Sequence, residues 1–334
     1  MAVRVADLHA PLGRRARARS RRLQPEAVAP FVVVLPGYER FVFGLRGGSF
    51  ARLAVKRFPN GELHVEVPAQ LEGRRCILVG LISPPAGNLE RFTVAAHTLA
   101  RAGAQQVTAL LPYLAYARQD RAPRSESLGL AWVGELLEAS GVDEVVTVDV
   151  HSDLASEVLG LALTSLSPAG VIATALRQAL RPEATVVAPD EGAIDRCSAV
   201  ARAAGVAEPI VWVRKERTSA GIEHHGLVGS PGKRALVIDD ILDTGDTLVS
   251  CCRALRDFGV QEIGVVATHG LFTGDHWRAL LTECVQVWIT DTVLSPRRPP
   301  QAHVVSIAPL LAPLLDESGD RGGSDARDRN PQIR

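Results

Sequence analysis

The sequence predicts an α/β fold of two similar domains, each built on a mainly parallel β-sheet flanked by helices. Three observations support this prediction. Strand-like and helix-like segments alternate along most of the chain, the apolar strands are short and bounded by polar residues, and the length of 334 residues suits two domains of ordinary size. Short, continuously apolar strands are typical of parallel sheets, because such sheets are buried on both faces.

The predicted organisation has four parts. An Arg-rich arm at 1–30 and a polar tail at 316–334 are expected to be disordered, since neither contains enough apolar residues to form a core. The first α/β domain is placed at 31–167 and the second at 168–315. A faint internal repeat, in which a glycine follows a helix and opens a strand, supports this division, although helix capping alone also explains such glycines.

The individual elements follow from hydrophobic periodicity and turn residues. Strands are predicted at 31–35, 50–56, 63–67, 76–82, 106–111, 144–150, 184–188, 209–214, 235–238, 262–268, 285–290 and 303–307. Helices are predicted at 88–102, 126–140, 168–180, 191–204, 247–258 and 308–315. The Asn60-Gly61 pair predicts a tight hairpin between the second and third strands.

Composition makes several classes of protein improbable. Basic and acidic residues both number 37, and this balance does not favour nucleic acid as a partner. Apolar runs are too short for a membrane span, so no membrane partner is expected. The five cysteines are odd in number and lack a Cys-x-x-Cys pair, which indicates neither a disulfide framework nor a zinc site. A reducing, cytoplasmic location is therefore expected.

The segment after the strand at 235–238 carries the strongest chemical signal. It reads Asp239-Asp240-Ile241-Leu242-Asp243-Thr244-Gly245-Asp246-Thr247. The backbone N–H groups of such a turn and of the helix that follows can hold a phosphate. The acidic pair suits sugar hydroxyls and the water shell of a divalent cation. The alternative is an ordinary strand-turn-helix junction in which Asp243 caps the helix; Asp246 is expected to point outward and cap it.

A loop after the strand at 106–111 carries Arg118, Gln119 and Arg121. Two guanidinium groups and an amide are suited to a polyphosphate, because they combine fixed positive charge with hydrogen bonds. A solvated loop is the alternative.

Carboxylates and a histidine follow two further strands. Asp149 and His151 lie on one face if the strand at 144–150 persists, and Asp190 follows the strand at 184–188. A lone histidine is more often a core residue. Beside Asp190 and the acidic pair, however, a magnesium-linked role is favoured, because the carboxyl ends of parallel strands share one edge of the sheet.

Two exposed segments complete the set. Phe58, beside the predicted hairpin, can stack on a purine or anchor the core. Lys215 and Arg217 follow the strand at 209–214 and enter a predicted loop. They point the same way while the chain stays extended, so the segment is either a cationic lid that closes over phosphate or a solvated charge run.

Together these motifs resemble the ribose-phosphate pyrophosphokinase family, also called phosphoribosyl pyrophosphate (PRPP) synthetases, over residues 31–315. The run Tyr116-Ala117-Arg118-Gln119-Asp120-Arg121 and the Phe-x-x-Gly-Glu hairpin are specific to that family. The loop at 239–247 is shared with type I phosphoribosyltransferases. The resemblance implies two phosphoribosyltransferase-type domains and transfer of the β,γ-pyrophosphoryl group of ATP to O1 of ribose 5-phosphate.

The resemblance also implies roles for individual residues. ATP would be bound by Phe58, Asn60, Gly61, Glu62, Arg118, Gln119 and Arg121, with the hairpin supplied by a neighbouring subunit of a homo-oligomer. Ribose 5-phosphate would be bound by Asp239, Asp240, Asp243, Thr244, Gly245, Asp246 and Thr247. Mg²⁺ would be bound by His151 and Asp190. Lys215 and Arg217 would form the catalytic lid.

The sequence departs from the family pattern at three places. Asn60 replaces the usual aspartate of the hairpin, Asp246 replaces the usual glycine of the phosphate loop, and the residues after Arg217 differ from the commoner bacterial lid. Two alternatives are therefore open: a non-catalytic regulatory homologue, or a type I phosphoribosyltransferase.

Overall fold

The structure is a computed structural model. It describes residues 29–42, 50–67, 71–123, 125–150, 152, 154–177, 184–206, 210–218 and 221–315. The predicted tail, the predicted arm up to residue 28, and His151 lie outside these residues. No described helix has the length and apolar character needed to cross a membrane.

The first sheet is parallel throughout, as expected for strands that are apolar on both faces. Its described strands are β1 (Phe31–Val34), β2 (Phe50–Arg52), β5 (Arg75–Val79), β6 (Gln106–Leu111), β7 (Glu144–Val148) and β8 (Ala162–Leu166). They lie in the order β2-β1-β5-β6-β7-β8. Between β2 and β5, the strands β3 (Ala54–Arg57) and β4 (Leu63–Glu66) form a separate antiparallel hairpin.

Helices cover both faces of this sheet. One face packs against α1 (Gly87–Arg101), α2 (Gly129–Ala139) and α3 (Ala155–Leu159). The other face packs against α8 (Ala308–Leu315), the last described helix of the chain. Successive residues of β5 alternate between the two cores, because side chains in a strand point to opposite faces.

The second sheet contains the strands that lead into the predicted phosphate loop and the predicted lid. Its described strands are β9 (Ala184–Ala188), β10 (Val211–Thr218), β11 (Gly221–Val228), β12 (Arg234–Leu242), β13 (Glu262–Gly270), β14 (Gln286–Thr290) and β15 (His303–Val305). They lie in the order β11-β10-β9-β12-β13-β14-β15, and every neighbouring pair is parallel except β10 with β11. One face packs against α4 (Ala169–Ala175) and α5 (Ile194–Ala204), and the other against α6 (Asp246–Asp257) and α7 (Leu280–Glu283).

The predicted fold class is confirmed, with local differences. Strands β8 and β11 were not predicted, because their side chains show no continuous apolar run; pairing with β7 and β10 forms them. The prediction of a loop at 215–218 is wrong, since these residues continue β10 and pair with β11. The predicted persistence of the strand to residue 150 is also wrong, because β7 ends at Val148.

The predicted domain division falls in the connection between β8 and α4. Helix α8 was assigned to the second domain from the sequence, yet it covers the first sheet: Ile307, Leu311 and Leu315 pack with Val32 and Val34. The two halves are thus joined by more than the loops at the sheet edge.

Candidate functional site

A cleft of about 940 Å³ lies at the carboxyl ends of strands from both sheets. This is the edge at which ligands bind in open α/β sheets, and the volume is within the range of small-molecule sites. Most of the predicted ribose-phosphate residues line it, together with residues of the first half. The charged and loop residues of the lining include Arg118, Asp149, Asp190, Arg196, Asp239, Asp240, Asp243, Thr244, Gly245, Asp246 and Thr247.

The phosphate loop is the turn between β12 and α6. Gly245 has a φ of +91°, in the left-handed region that favours glycine. A Cβ atom at this residue would also lie 2.6 Å from Cα of Trp277, so no side chain fits. Helix α6 begins at the next residue, and its N-terminus lies at the cleft, where its unpaired N–H groups favour an anion.

The predicted capping role of Asp246 is wrong. Gly245 occupies the cap position, and no side chain makes a capping hydrogen bond. The carboxylate of Asp246 instead accepts a hydrogen bond from Oγ1 of Thr244 at 2.7 Å and contacts Nδ1 of His276. Asp246 stays in the first turn of the helix, where the positive end of the helix dipole favours a negative charge.

Asp243 does not cap the helix either, which removes the alternative interpretation of the loop. Its carboxylate accepts a hydrogen bond from Nη1 of Arg118 at 2.6 Å and another from Oγ1 of Thr273. Arg118 comes from the loop after β6 in the first sheet, whereas Thr273 follows β13 in the second. The predicted polyphosphate loop and the predicted ribose-phosphate loop therefore meet.

The acidic pair lies at the end of β12. Asp240 is 5% exposed, and its Oδ2 lies 3.6 Å from Nη2 of Arg196. Burial, followed by repulsion from Asp240, raises the pKa of Asp239 well above the usual range for an aspartate. Two neighbouring carboxylates that repel one another are groups that a divalent cation would stabilise.

Asp149 lies where the two halves of the chain meet. Both of its carboxylate oxygens lie 3.0 Å from Nε of Arg196, and Oδ2 also accepts a hydrogen bond from Thr268. Burial alone would lower the pKa of Arg196, but the carboxylates of Asp149, Asp240 and Asp239 raise it, so this guanidinium stays charged.

The sequence analysis missed three residues of this network: Arg196, Thr268 and His269. His269 is buried, and burial lowers its pKa, so the ring is neutral at pH 7. Its Nδ1 lies 2.9 Å from Oγ1 of Thr292, and its Nε2 lies 3.1 Å from the carbonyl oxygen of Val148. The signal that could have found Thr268 and His269 is their polarity at the end of an otherwise apolar buried strand.

Backbone strain marks the same edge of the sheets. Among the described residues, three that are not glycine have a positive φ: Tyr116 at 70°, Asp149 at 48° and Phe272 at 54°. They lie in the loops after β6, β7 and β13. Such conformations cost energy and concentrate at functional sites, where the surrounding structure holds them in place.

Among the described residues, those predicted to bind ATP fall into two groups. Arg118 lines the cleft, whereas Gln119, Arg121 and the hairpin residues do not line it. The exposed side chain of Gln119 lies against Gly129, at the start of α2, where a Cβ atom would be 2.4 Å from its amide oxygen. Arg121 is largely exposed, with Nε 3.9 Å from Asp120. In the described part of the chain, neither Arg121 nor the hairpin residues Phe58 and Asn60–Glu62 line the cleft.

The cleft suits a divalent cation that arrives with phosphate. Eight carboxylates line it against two guanidinium groups; the carboxylates are Asp149, Asp190, Glu191, Asp195, Asp239, Asp240, Asp243 and Asp246. The described residues contain no cluster of three or more metal-binding side chains. Mg²⁺ usually binds through one or two carboxylates, with substrate phosphates and water completing its octahedron, so the residues present fit this ion.

The segment with Lys215 and Arg217 leaves the sheet beside this cleft as part of an antiparallel ribbon. Lys215 is paired with His224 and Arg217 with Ile222, after a bulge that follows Val213. The ribbon extends past the end of β9, since β9 pairs with β10 only as far as Trp212.

The parallel sheet, with its acidic strand end and the turn into α6, defines a phosphoribosyltransferase-type fold. Comparisons with known proteins agree and are more specific. A family model of the N-terminal domain of ribose phosphate pyrophosphokinase matches residues 43–141, and a phosphoribosyl transferase domain model matches residues 169–291. The chain belongs to the ribose-phosphate pyrophosphokinase family.

Curated relatives and a solved structure support this assignment. The chain is 32% identical over 275 residues to a ribose-phosphate pyrophosphokinase of Chromobacterium violaceum, with 80% of this chain and 84% of the relative covered. It is 31% identical over 273 residues to the corresponding protein of Ralstonia nicotianae, with 80% and 85% covered. The fold is similar to that of the phosphoribosylpyrophosphate synthetase from Mycobacterium smegmatis, with a TM-score of 0.71, 24% identity, and 86% of this chain and 97% of the other covered.

Proposed function

We propose that the chain is a ribose-phosphate diphosphokinase, which transfers the β,γ-pyrophosphoryl group of ATP to O1 of ribose 5-phosphate and releases AMP. The contact between Arg118 and Asp243 carries the proposal, because it brings the family-specific loop of the first half to the phosphate loop of the second. A simple phosphoribosyltransferase needs the second loop but not the first.

The phosphate loop supplies the ribose 5-phosphate half of the site. The N–H groups at the start of α6 and the hydroxyl of Thr247 face the cleft and suit the 5-phosphate. Asp239 and Asp240, in the strand that leads into this loop, suit the ribose hydroxyls, which donate hydrogen bonds to carboxylates.

The ATP half uses Arg118 and Gln119 for the phosphates, and the hairpin for the base. Phe58 is 50% exposed, which favours stacking on a purine over a role in the core. Since the hairpin does not line the cleft of its own chain, a neighbouring subunit would supply it, and the proposal therefore includes a homo-oligomer. Asn60 accepts a hydrogen bond from the backbone N–H of Glu62 at 3.1 Å, so it shapes the turn itself.

The proposal includes Mg²⁺, bound by Asp190 and the acidic pair together with substrate phosphates. When bound, it neutralises charge on the β- and γ-phosphate oxygens. The cleft supports this requirement, because eight carboxylates line it against two guanidinium groups, and this excess of negative charge would repel ATP. His151 is also proposed for this role from the sequence, and it lies outside the described residues.

The chemistry needs positioning and charge, and not a covalent nucleophile. The O1–Pβ bond forms while the bond between Pβ and the oxygen that bridges to Pα breaks, so AMP leaves and the O1 proton is released. Such transfers pass through loose transition states that proteins stabilise electrostatically. Lys215 and Arg217, on the ribbon of β10 and β11, are proposed to supply that positive charge.

One assay tests the proposal. The purified full-length protein is incubated with ATP, Mg²⁺ and ribose 5-phosphate, and the products are followed by ³¹P NMR. AMP and PRPP in equal amounts are the expected result. In a parallel incubation with PRPP, Mg²⁺ and a purine or pyrimidine base, consumption of PRPP would indicate a phosphoribosyltransferase. Failure to form PRPP would favour the regulatory homologue.

A cytoplasmic location is part of the proposal. All five cysteines are buried, unpaired thiols, as is usual in a reducing compartment.

A further inference from the structure

Asp246 places a carboxylate inside the phosphate loop and engages a donor that the loop would otherwise offer to phosphate. The hydroxyl of Thr244 donates to Oδ2 of Asp246 at 2.7 Å. The other carboxylate oxygen contacts Nδ1 of His276. Both the Asp246 and His276 side chains are 49% exposed, so neither belongs to the core, and Asp246 lines the cleft.

The carboxylate is charged at neutral pH. The hydrogen bond from Thr244 lowers the pKa of Asp246, burial opposes this effect, and His276 lowers the pKa further. A phosphate dianion entering the loop would therefore meet a like charge within a few ångströms. Like charges at this distance weaken binding unless a cation offsets one of them.

His276 is held firmly beside Asp246 by its neighbour in the chain. Trp277 is 2% exposed, and its Nε1 donates to the carbonyl oxygen of Gly274 at 3.1 Å. The backbone of Trp277 packs directly on Gly245, where a Cβ atom would lie 2.6 Å away. The position of His276 relative to the phosphate loop is thus fixed by a buried contact.

Other charged groups nearby already have partners. Asp275 is bonded to Arg278 at 3.1 Å and to Arg297 at 2.6 Å. Asp243 is bonded to Arg118 at 2.6 Å. Among the contacts of the described residues, His276 is the nitrogen-bearing side chain that faces the Asp246 carboxylate, through Nδ1.

We propose that His276 is a positioning residue of the ribose 5-phosphate site: it holds the Asp246 carboxylate aside and offsets its charge, so that the loop accepts a phosphate. The inference rests on the proposed function, because it assigns His276 to the sugar-phosphate half of that reaction. Asp246 and His276 then act together, and the histidine matters for binding only while the carboxylate is present.

A purely structural role for His276 makes a different prediction. If the histidine stabilised only the loop, its removal would weaken binding equally whether or not Asp246 is present. If it offsets the charge of Asp246, its removal matters only while that carboxylate exists. A double-mutant cycle separates the two cases, because it measures the coupling between the side chains directly.

The test is calorimetric titration of ribose 5-phosphate into the full-length wild type, His276→Ala, Asp246→Gly and the double variant. His276→Ala is expected to raise the Kd about tenfold, equivalent to about 1.4 kcal/mol. In the Asp246→Gly background the same change is expected to alter the Kd less than about threefold. His276→Arg, which can also donate hydrogen bonds to the Asp246 carboxylate, should restore binding to within about threefold of wild type.

His97→Ala, an exposed histidine of α1, is the matched control and should leave the Kd unchanged. Urea unfolding of each variant checks that it is folded. An equal loss in both backgrounds, or no loss in His276→Ala, would overturn the inference. So would Asp246→Gly binding ribose 5-phosphate when the wild type does not, since His276 would then fail to offset the carboxylate.

The titration also separates this inference from the proposed function. A wild type that binds ribose 5-phosphate and shows the coupling, but forms no PRPP from ATP, would contradict the proposed function and support the role of His276. A wild type that forms PRPP but shows no coupling would support the proposed function and contradict the role of His276.

Discussion

Arg118 and Asp243 are separated by 125 residues in sequence, yet Nη1 of the first lies 2.6 Å from Oδ2 of the second. Each residue is a charged member of a different motif, one in each half of the chain. Their contact means that the two halves share one cleft, and under the proposed function it links the ATP side of the site to the ribose 5-phosphate side.

Arg118→Ala should therefore impair the use of both substrates by the enzyme. Charge-assisted hydrogen bonds contribute roughly 1.5–3 kcal/mol, so kcat/KM for ATP is expected to fall about 10- to 100-fold. The KM for ribose 5-phosphate should rise as well, because Asp243 loses its partner. Steady-state kinetics with each substrate varied in turn measures both effects. Arg101→Ala, at the exposed end of α1, is the matched control, and an equal effect there would show that the loss is not specific.

Lys215→Ala should lower kcat more than it weakens ATP binding, because its charge is needed mainly in the transition state. Loss of one such donor costs roughly 3–4 kcal/mol, on the order of 10²- to 10³-fold in rate. Arg214→Ala changes the exposed neighbour, at the bulge of β10, and should have little effect. A Lys215→Ala enzyme within about threefold of wild-type turnover would remove Lys215 from the mechanism.

Gly245→Ala should be strongly destabilising. The new Cβ atom would lie 2.6 Å from the backbone of Trp277 in a left-handed conformation, so overpacking and strain together cost roughly 2–5 kcal/mol. Gly259 has a similar φ of +85° with open space around it, and Gly259→Ala isolates the strain alone, at about 1–2 kcal/mol. Urea unfolding measures the free energy of unfolding of the two variants. Equal decreases would mean that the close contact with Trp277 adds nothing to the cost of the strain.

Arg196→Ala should also reduce stability, since it leaves Asp149 and Asp240 buried without their cation. Breaking a buried ion pair in this way costs roughly 3–5 kcal/mol. Arg253 forms an exposed ion pair with Glu283 at 2.8 Å, and Arg253→Ala should cost less than about 1 kcal/mol. The difference in the free energy of unfolding is the measurement. Similar values for the two variants would show that the Arg196 network does not stabilise the joined halves.

The cysteines should react slowly in the folded protein. Burial raises the pKa of Cys76 and of Cys284 to about 11. At pH 8 such a thiol is about 0.1% thiolate, whereas a free thiol is roughly 20% thiolate, so alkylation should be slower by a factor on the order of 10². Mass spectrometry after iodoacetamide treatment, with and without urea, measures the rate at which each cysteine is alkylated. Rapid labelling of either cysteine without urea would contradict the burial.

The sequence predicted the central strands well because their signal is local. Gln106–Leu111 and Ala184–Ala188 are mostly apolar segments between turn residues, and the structure has strands with those bounds. Strand β11 has no such run, and it exists because β10 offers a partner. Similarly, the chain could be divided into two halves from its pattern, but the packing of α8 on the first sheet depends on tertiary contacts that leave no local trace.

The candidate site also contains residues that local motifs predicted and residues that only the structure identifies. Arg118, Asp243 and the acidic pair were found because each sits in a motif at a strand end. Arg196 was not found, because its role depends on Asp149, which lies 47 residues earlier and is brought to it by the joining of the sheets. The capping prediction for Asp246 failed because His276 and Thr244 offer its carboxylate better partners than the helix does.

Helix α8 also bears on how the chain is made. Proteins emerge from the ribosome N-terminus first, and domains generally begin to fold as they appear. Here Ile307 and Leu311 complete the apolar face of a sheet whose first strand starts at Phe31. That face stays exposed until nearly the whole chain has been synthesised. A premature stop near residue 300 would therefore leave the N-terminal half prone to aggregation, although every residue of that half would be present.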